Sequence, residues 1–260
     1  MKIAITGKGG VGKTTLASLL AHLYAEEGKR VIAVDADPDA NLASALGVSK
    51  TDAEKLRPIT DMADLIEERT GARPGRPGGM YKLNPKVDDL PEGIGLTLNG
   101  IILLTMGKLK DAASGCYCPE NVLLRNLLKH LMVDRSEVVI VDMEAGIEHL
   151  TRGTAEAVDI FIVVVEPGQR SIETAKTVFG MARNLGVQKV YVVANKVRGN
   201  EDIRFISEHI GGMDIAGALS YRNAVIEADM KGVCPYRFSI ETVDEVRDLK
   251  NRIEKDFSVP

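Results

Sequence analysis

At 260 residues, 45% hydrophobic and 27% charged, the chain has the make-up of a globular protein, long enough for one large α/β domain and too short for two of comfortable size. A net charge of −4, with acids and bases interspersed, lacks the footprint of a nucleic-acid or anionic-membrane binder, and no apolar run approaches bilayer length. Three cysteines, and an opening that enters the first strand with no signal core or charged leader, set the expectation of a cytoplasmic protein without a disulfide framework.

The first element is the apolar strand Ile3-Ala4-Ile5. It runs into Gly7-Lys8-Gly9-Gly10-Val11-Gly12-Lys13-Thr14-Thr15, and a helix follows from Leu16 to Glu27. A strand ending in a glycine-rich turn that opens into a helix aims backbone N–H groups and the positive end of a helix dipole at one point, which suits a polyphosphate. Gly7, Gly12, Lys13 and Thr14 fit G-x-x-x-x-G-K-[ST]: the glycines let the backbone curl round the β-phosphate, Lys13 reaches the β/γ oxygens, and Thr14 ligates Mg²⁺. Gly9, Gly10, Val11, Gly12, Lys13, Thr14 and Thr15 are the candidate nucleotide-binding residues.

Read from Lys8, the order Lys-Gly-Gly-Val-Gly-Lys-Thr-Thr resembles the deviant Walker A of the MinD/ParA/nitrogenase-iron-protein class of P-loop ATPases. The resemblance implies ATP as ligand and an ATP-dependent homodimer in which Lys8 crosses to the partner's phosphates as a catalytic residue beside Lys13. The plainer alternative is a lysine solvated next to bound phosphate. The expected architecture is a single P-loop NTPase domain over residues 1–260, a doubly wound, mostly parallel sheet flanked by helices.

Lys29 to Asp35 reads as a buried parallel strand ending in acid, with Asp35-Ala36-Asp37-Pro38-Asp39 at its carboxyl end, where open α/β sheets keep their ligands. By resemblance this is switch I, and Asp37 orients or deprotonates the attacking water. The alternative for Asp37 is to cap the helix from Asn41 to Leu46. Residues 49 to 71 read as a helix with Leu56, Met62, Leu65 and Ile66 as its apolar set. Residues 72 to 79, with three glycines and two prolines, form an expected mobile surface loop. Short irregular strands around Asn84-Pro85 are expected over 80 to 98, then a buried strand from Ile101 to Met106.

In Ser114-Gly115-Cys116-Tyr117-Cys118-Pro119-Glu120-Asn121, Pro119 and Glu120 suit the first positions of a helix running through Val122 to Leu131, so Cys118 falls at or near its N-cap. A thiol there is shifted toward the thiolate that binds metal. Two thiols at i and i+2 make half of a four-sulfur site, which a two-fold dimer could complete. Two buried or idle cysteines are the alternative.

Val138 to Asp142 is the next strand, with Asp142 at the Walker B position to hold Mg²⁺ through water beside Thr14. The Cys-Tyr-Cys motif with Glu120-Asn121, followed by Asp142-Met143-Glu144-Ala145-Gly146 and the run to Thr154, resembles the CooC group of ATPases that serve nickel insertion into carbon monoxide dehydrogenase, with a close relative serving acetyl-CoA synthase. That resemblance implies Ni²⁺ bridging two subunits at Cys116 and Cys118, one of those enzymes as client, and switch II over Met143 to Gly146. Zn²⁺ is a competitor for such ligands. Glu144 departs from the pattern, where relatives carry glycine. His149 and Arg152 read as helix-surface residues.

Ile160 to Val165 and Lys189 to Ala194 are further strands, the second capped by Asn195-Lys196. In the class the asparagine bonds adenine; tying its own turn is the alternative for Asn195. Ile215 to Leu219 is the last strand. The loop Ser220-Tyr221-Arg222-Asn223 is expected against the adenine, although the family usually has proline where Ser220 stands. Cys234 reads as a small apolar filler. Val243, Val246, Leu249, Ile253 and Phe257 give a docked helix over 242–257, too acidic on its polar face for a membrane anchor.

The function these features favour is an ATP-hydrolysing, dimeric nickel metallochaperone binding neither nucleic acid nor membrane. The alternatives are a positioning switch of the MinD/ParA kind and an iron–sulfur reductase resembling the nitrogenase iron protein. The first would leave the cysteine pair idle, and the second takes a cluster cysteine from switch II, where this chain has none.

Overall fold

The computed structural model describes residues 1–76, 80–107, 118–145 and 152–258. Its strands are β1 (Lys2–Gly7), β2 (Val31–Ala36), β3 (Leu96–Leu98), β4 (Ile101–Thr105), β5 (Val138–Met143), β6 (Ile160–Val165), β7 (Val190–Val197) and β8 (Asp214–Ser220). They form one sheet in the order β3-β4-β2-β5-β1-β6-β7-β8, parallel except for β3, which pairs antiparallel with β4 at one edge. The helices in the first half are α1 (Lys13–Glu26), α2 (Leu42–Ala45), α3 (Lys50–Ala53), α4 (Ala63–Thr70), α5 (Leu90–Ile94) and α6 (Pro119–Val133). Those in the second are α7 (Arg152–Ala155), α8 (Gln169–Asn184), α9 (Asn200–His209), α10 (Asn223–Lys231), α11 (Pro235–Phe238) and α12 (Ile240–Ser258).

Successive side chains of a strand face opposite ways, so a strand apolar at every position needs helices on both sides. The central strands meet that requirement. Ile3, Ile5, Ile140, Ile160 and Ile162 join α1 and α12 on one face, through Leu16, Leu20, Val246 and Ile253. Ala4, Val139, Val141, Phe161 and Val163 join α6, α8 and α9 on the other, through Leu123, Leu127, Ile172, Val178 and Ile206. Each fully buried branched side chain contributes about 1.5–3 kcal/mol of transfer free energy. Chain order reverses at β1, which lies between β5 and β6, and the crevice outside the carboxyl ends of strands at such a reversal is where these sheets bind ligands.

Two readings of the sequence are corrected here. Residues 49 to 71 are not one helix: α3 and α4 are separated by a 3-10 turn, Ile59–Asp61, that follows Pro58. Proline disfavours helix in the residue before it, and the Thr60 N–H is spent on the Met106 carbonyl at 3.2 Å. Over 80 to 98 there are no strands around Asn84-Pro85; α5 and the edge strand β3 form instead, the latter positioned by its pairing with β4. Within the loop expected over 72–79, Arg73 pairs with Glu67 at 2.7 Å and Asp64 at 2.8 Å, and 77–79 lie outside the described residues.

α12 docks on β8 and α1. Lys250, 2% exposed, pairs with Glu27 at 2.7 Å and Glu254 at 3.0 Å and lies over the Tyr24 ring. No helix among the described residues is long and apolar enough to cross a membrane.

Candidate nucleotide site

β1 ends at Gly7, whose φ of +147° and whose approach to the Val164 carbonyl leave no room for a Cβ. The chain then turns through residues 8–12 with the Val11 N–H on the Lys8 carbonyl at 3.4 Å, and α1 starts at Lys13. Val11 is fully buried and anchors the turn in the core. From outside, the turn is held by the tip of β7: Asn195 Nδ2 donates to the Val11 carbonyl at 2.7 Å and Lys196 Nζ to the Gly10 carbonyl at 2.6 Å. Gly12 has φ +98°, and a Cβ there would overlap Asn195 Nδ2. With carbonyls 10 and 11 tied to β7, their negative ends are kept off the place where phosphate oxygens would sit.

β7 does not stop at Ala194 as the sequence suggested. It continues to Val197 through a break in register with β8, and Lys196 adopts a left-handed φ of +57°. Irregularities of this kind collect beside functional sites. Lys196 Nζ also pairs with Glu166 at 3.2 Å, so one side chain joins the ends of β6 and β7 to the loop. Sequence reading missed this role, for which adjacency to Asn195 was the only signal.

At the end of β2, Lys13 is 6% exposed with its Nζ 3.6 Å from Asp37 Oδ2. Helix α2 is capped by Asp35, not by Asp37: Asp35 Oδ2 accepts from the Leu42 N–H at 2.9 Å and Oδ1 from the Asp37 N–H at 3.3 Å. Burial pushes the Asp35 carboxyl up to about 6 against those two donors. Asp37 is thereby relieved of a capping duty and stands half-buried at the cavity wall, with Oδ1 accepting from the Asp39 N–H at 3.0 Å.

Asp142 of β5 sits in register with Ile5 on one side and Asp35 on the other. Thr14 Oγ1 donates to Asp142 Oδ2 at 2.6 Å, while Oδ1 is buried with no hydrogen-bond partner. Burial pushes its carboxyl up to about 7, opposed by the Thr14 hydrogen bond and Lys13. An orphaned carboxylate oxygen beside a threonine hydroxyl at a phosphate loop is a donor set that fits a hydrated Mg²⁺. Just beyond, Thr6 Oγ1 donates to the Glu144 carbonyl at 2.5 Å, leaving the Glu144 side chain in solvent.

Gly9, Gly12, Lys13, Thr14, Thr15 and Asp37 line one cavity of about 520 Å³. A recess of about 160 Å³ adjoins it, bounded by Thr15, Asn195, Leu219, Tyr221, Arg222 and Ile226. On the far side of the loop, Lys8 borders a cleft of about 370 Å³ with Ala145 and with Arg170, Glu173, Thr174 and Thr177 of α8. The residues expected to meet phosphate and metal are thus together, whereas both polar ends of the Asn195 amide are already engaged, Oδ1 accepting from the Lys196 N–H at 2.8 Å.

Cys118 is the N-cap of α6, half-buried. Cys116, Gly146 and His149 lie outside the described residues, among which no group of three or more potential metal-ligating side chains occurs. Arg152 opens α7. Cys234 is buried in the core as a small structural residue, with its Sγ 3.3 Å from Nε2 of the buried His22.

The chain matches the model of the family described as the CobQ/CobB/MinD/ParA nucleotide binding domain over residues 2–236. It is 47% identical over 249 residues to the carbon monoxide dehydrogenase accessory protein CooC of Rhodospirillum rubrum, covering 96% of this chain and 94% of the relative. It is 45% identical to an uncharacterized ATP-binding protein of Methanocaldococcus jannaschii, over 98% of both. Among solved structures, a ParA family ATPase from Chlorobium tepidum superposes with a TM-score of 0.70 at 15% identity over 97% of each chain. MinD of Pyrococcus horikoshii with Mg-ADP gives 0.67 at 18% identity over 99% and 98%.

Proposed function

Since the chain belongs to the CobQ/CobB/MinD/ParA nucleotide-binding family and is a P-loop ATPase, we propose that it is a nucleotide-driven metallochaperone that delivers Ni²⁺ to a carbon monoxide dehydrogenase or acetyl-CoA synthase. The observation that carries this reading is 47% identity, over 96% of the chain, to a carbon monoxide dehydrogenase accessory protein, in a chain that keeps Cys118 at a helix N-cap two residues after Cys116.

The P-loop binds the triphosphate with Lys13 at the β/γ oxygens, and Thr14 with Asp142 would hold the Mg²⁺ that neutralises their charge. The base lies in the recess between Asn195 and Tyr221. Asp37 orients the attacking water, and its distance from Lys13 lets the ammonium exchange that carboxylate for phosphate when ATP binds. Two subunits close face to face, Lys8 reaching the partner's nucleotide, and each contributes Cys116 and Cys118 to one thiolate site for the cargo metal. Hydrolysis reopens the pair and splits the ligand set, so the affinity for metal falls while the client is bound. Thr6, which ties β1 to the start of switch II, is positioned to pass on the state of the γ-phosphate.

Metal analysis and sizing of anaerobic protein, with and without Mg-ATP, test the reading. Wild type is expected to hold one nickel per nucleotide-bound dimer, and Cys116→Ala and Cys118→Ala to lose it while ATP binding survives. Nickel retained by both variants would remove the cysteine assignment.

A further inference from the structure

We propose that Glu245, on α12, is a positioning residue for the nucleotide base, acting through the segment Ser220 to Arg222; this rests on the reading that the base occupies the recess beside the P-loop. The Glu245 carboxylate accepts three hydrogen bonds from that segment. The Ser220 N–H donates to Oε2 at 2.9 Å, Ser220 Oγ to Oε1 at 2.7 Å, and Arg222 Nη2 to Oε1 at 2.7 Å. Between them the Tyr221 N–H is fixed to the Val197 carbonyl at 2.8 Å. Ser220, Tyr221 and Arg222 all bound the recess, and Glu245 itself does not, so it shapes the wall without touching the ligand.

The carboxylate is held firmly. One turn further along α12, Leu249 is buried against Gly217 of β8, where a side chain would crowd it, and Val246 is fully buried. Arg222 depends on the contact too, because its Nε is buried without a partner and its Nη2 pairs with Glu245. Removing the carboxylate leaves the Ser220 N–H unpaired and a guanidinium unneutralised at the wall of the recess, and both costs fall where the base would lie. No P-loop residue takes part in this network. Glu245 therefore controls that part of the affinity which depends on the base. This chain carries serine with a carboxylate partner where a proline would offer no N–H to satisfy.

The test compares binding of Mg-ATP, Mg-ADP and magnesium tripolyphosphate to the full chain by calorimetry, in wild type, Glu245→Ala and Glu245→Gln, with ATPase kinetics alongside. Glu245→Ala is expected to weaken ATP and ADP about tenfold, to leave tripolyphosphate within about twofold, and to raise KM for ATP more than it lowers kcat. Glu245→Gln keeps one acceptor but sets an amide against the Ser220 N–H, so it falls between. Equal weakening of ATP and tripolyphosphate by Glu245→Ala would mean a general structural loss and overturn the proposal. So would a wild-type preference for ATP over tripolyphosphate that survives the substitution intact. A wild type that binds tripolyphosphate as tightly as ATP would instead remove the base-binding reading beneath it.

Discussion

Asn195 packs its amide against the α-carbon of Gly12 while donating to the Val11 carbonyl at 2.7 Å, so the tip of β7 and the phosphate loop form one piece. Asn195→Ala unpairs that carbonyl and lets the loop sample other shapes. About a tenfold loss of Mg-ADP affinity is expected, read by calorimetry, with the same loss for tripolyphosphate because the defect lies at the phosphates. Gly12→Ala both strains a left-handed backbone and collides with Asn195, and is expected to abolish binding. A variant at Asn195 that lost ATP affinity and kept that for tripolyphosphate would return this residue to base recognition.

Asp37 is free of the capping role and faces Lys13 across 3.6 Å. Asp37→Asn is expected to reduce kcat by about 10²–10⁴-fold with ATP binding retained, since one negative charge facing the phosphates is gone. Phosphate release under saturating ATP measures it. Hydrolysis at the wild-type rate would exclude a role for this carboxylate with the attacking water.

Lys8 borders the cleft toward α8 and Ala145, away from the main cavity. Lys8→Ala is expected to bind ATP as a monomer and to fail to dimerise, which light scattering with a non-hydrolysable analogue would detect. Dimers forming as readily as in wild type would assign Lys8 to its own subunit's phosphate.

His22 of α1 is buried, with Nε2 near the Leu46 carbonyl at 3.2 Å and the ring stacked on Tyr236. Burial lowers its pKa below the ordinary imidazole value, with the Leu46 contact opposing and Arg237 assisting. For a base whose folded pKa is depressed, the unfolded chain takes up more protons, so the stabilisation is complete above about pH 6.5 and is lost as the pH falls below it. Wild type should lose more thermal stability than His22→Gln between about pH 7.5 and about pH 5.5. Parallel losses would show that the imidazole takes up protons equally in the folded and the unfolded chain.

The strands and the phosphate loop were legible because each is decided locally: β1, β2, β5 and β6 are continuous apolar runs, and Gly7 to Thr15 carries its own turn, charge and hydroxyl. What escaped depends on distant partners. Asp35 takes the cap of α2 because Leu42 folds back over the end of β2, and the register break that brings Lys196 to Gly10 arises only once β8 has paired. Glu245 reads as one more acid on an amphipathic helix until α12 is laid against Ser220. Pro58 breaks the helix expected over 49–71, because the residue before a proline disfavours helical backbone.

α12 grips the body at two places, through Glu245 at the wall of the recess and through Lys250 on Glu27, at the end of α1 opposite the P-loop. Both grips belong to an element that leaves the ribosome after all eight strands. A chain cut at residue 239 would carry the P-loop, Asp37, Asp142 and Asn195 yet lack the carboxylate that holds Ser220 and Arg222. The wall of the recess is thus finished only by an element made after the last strand described.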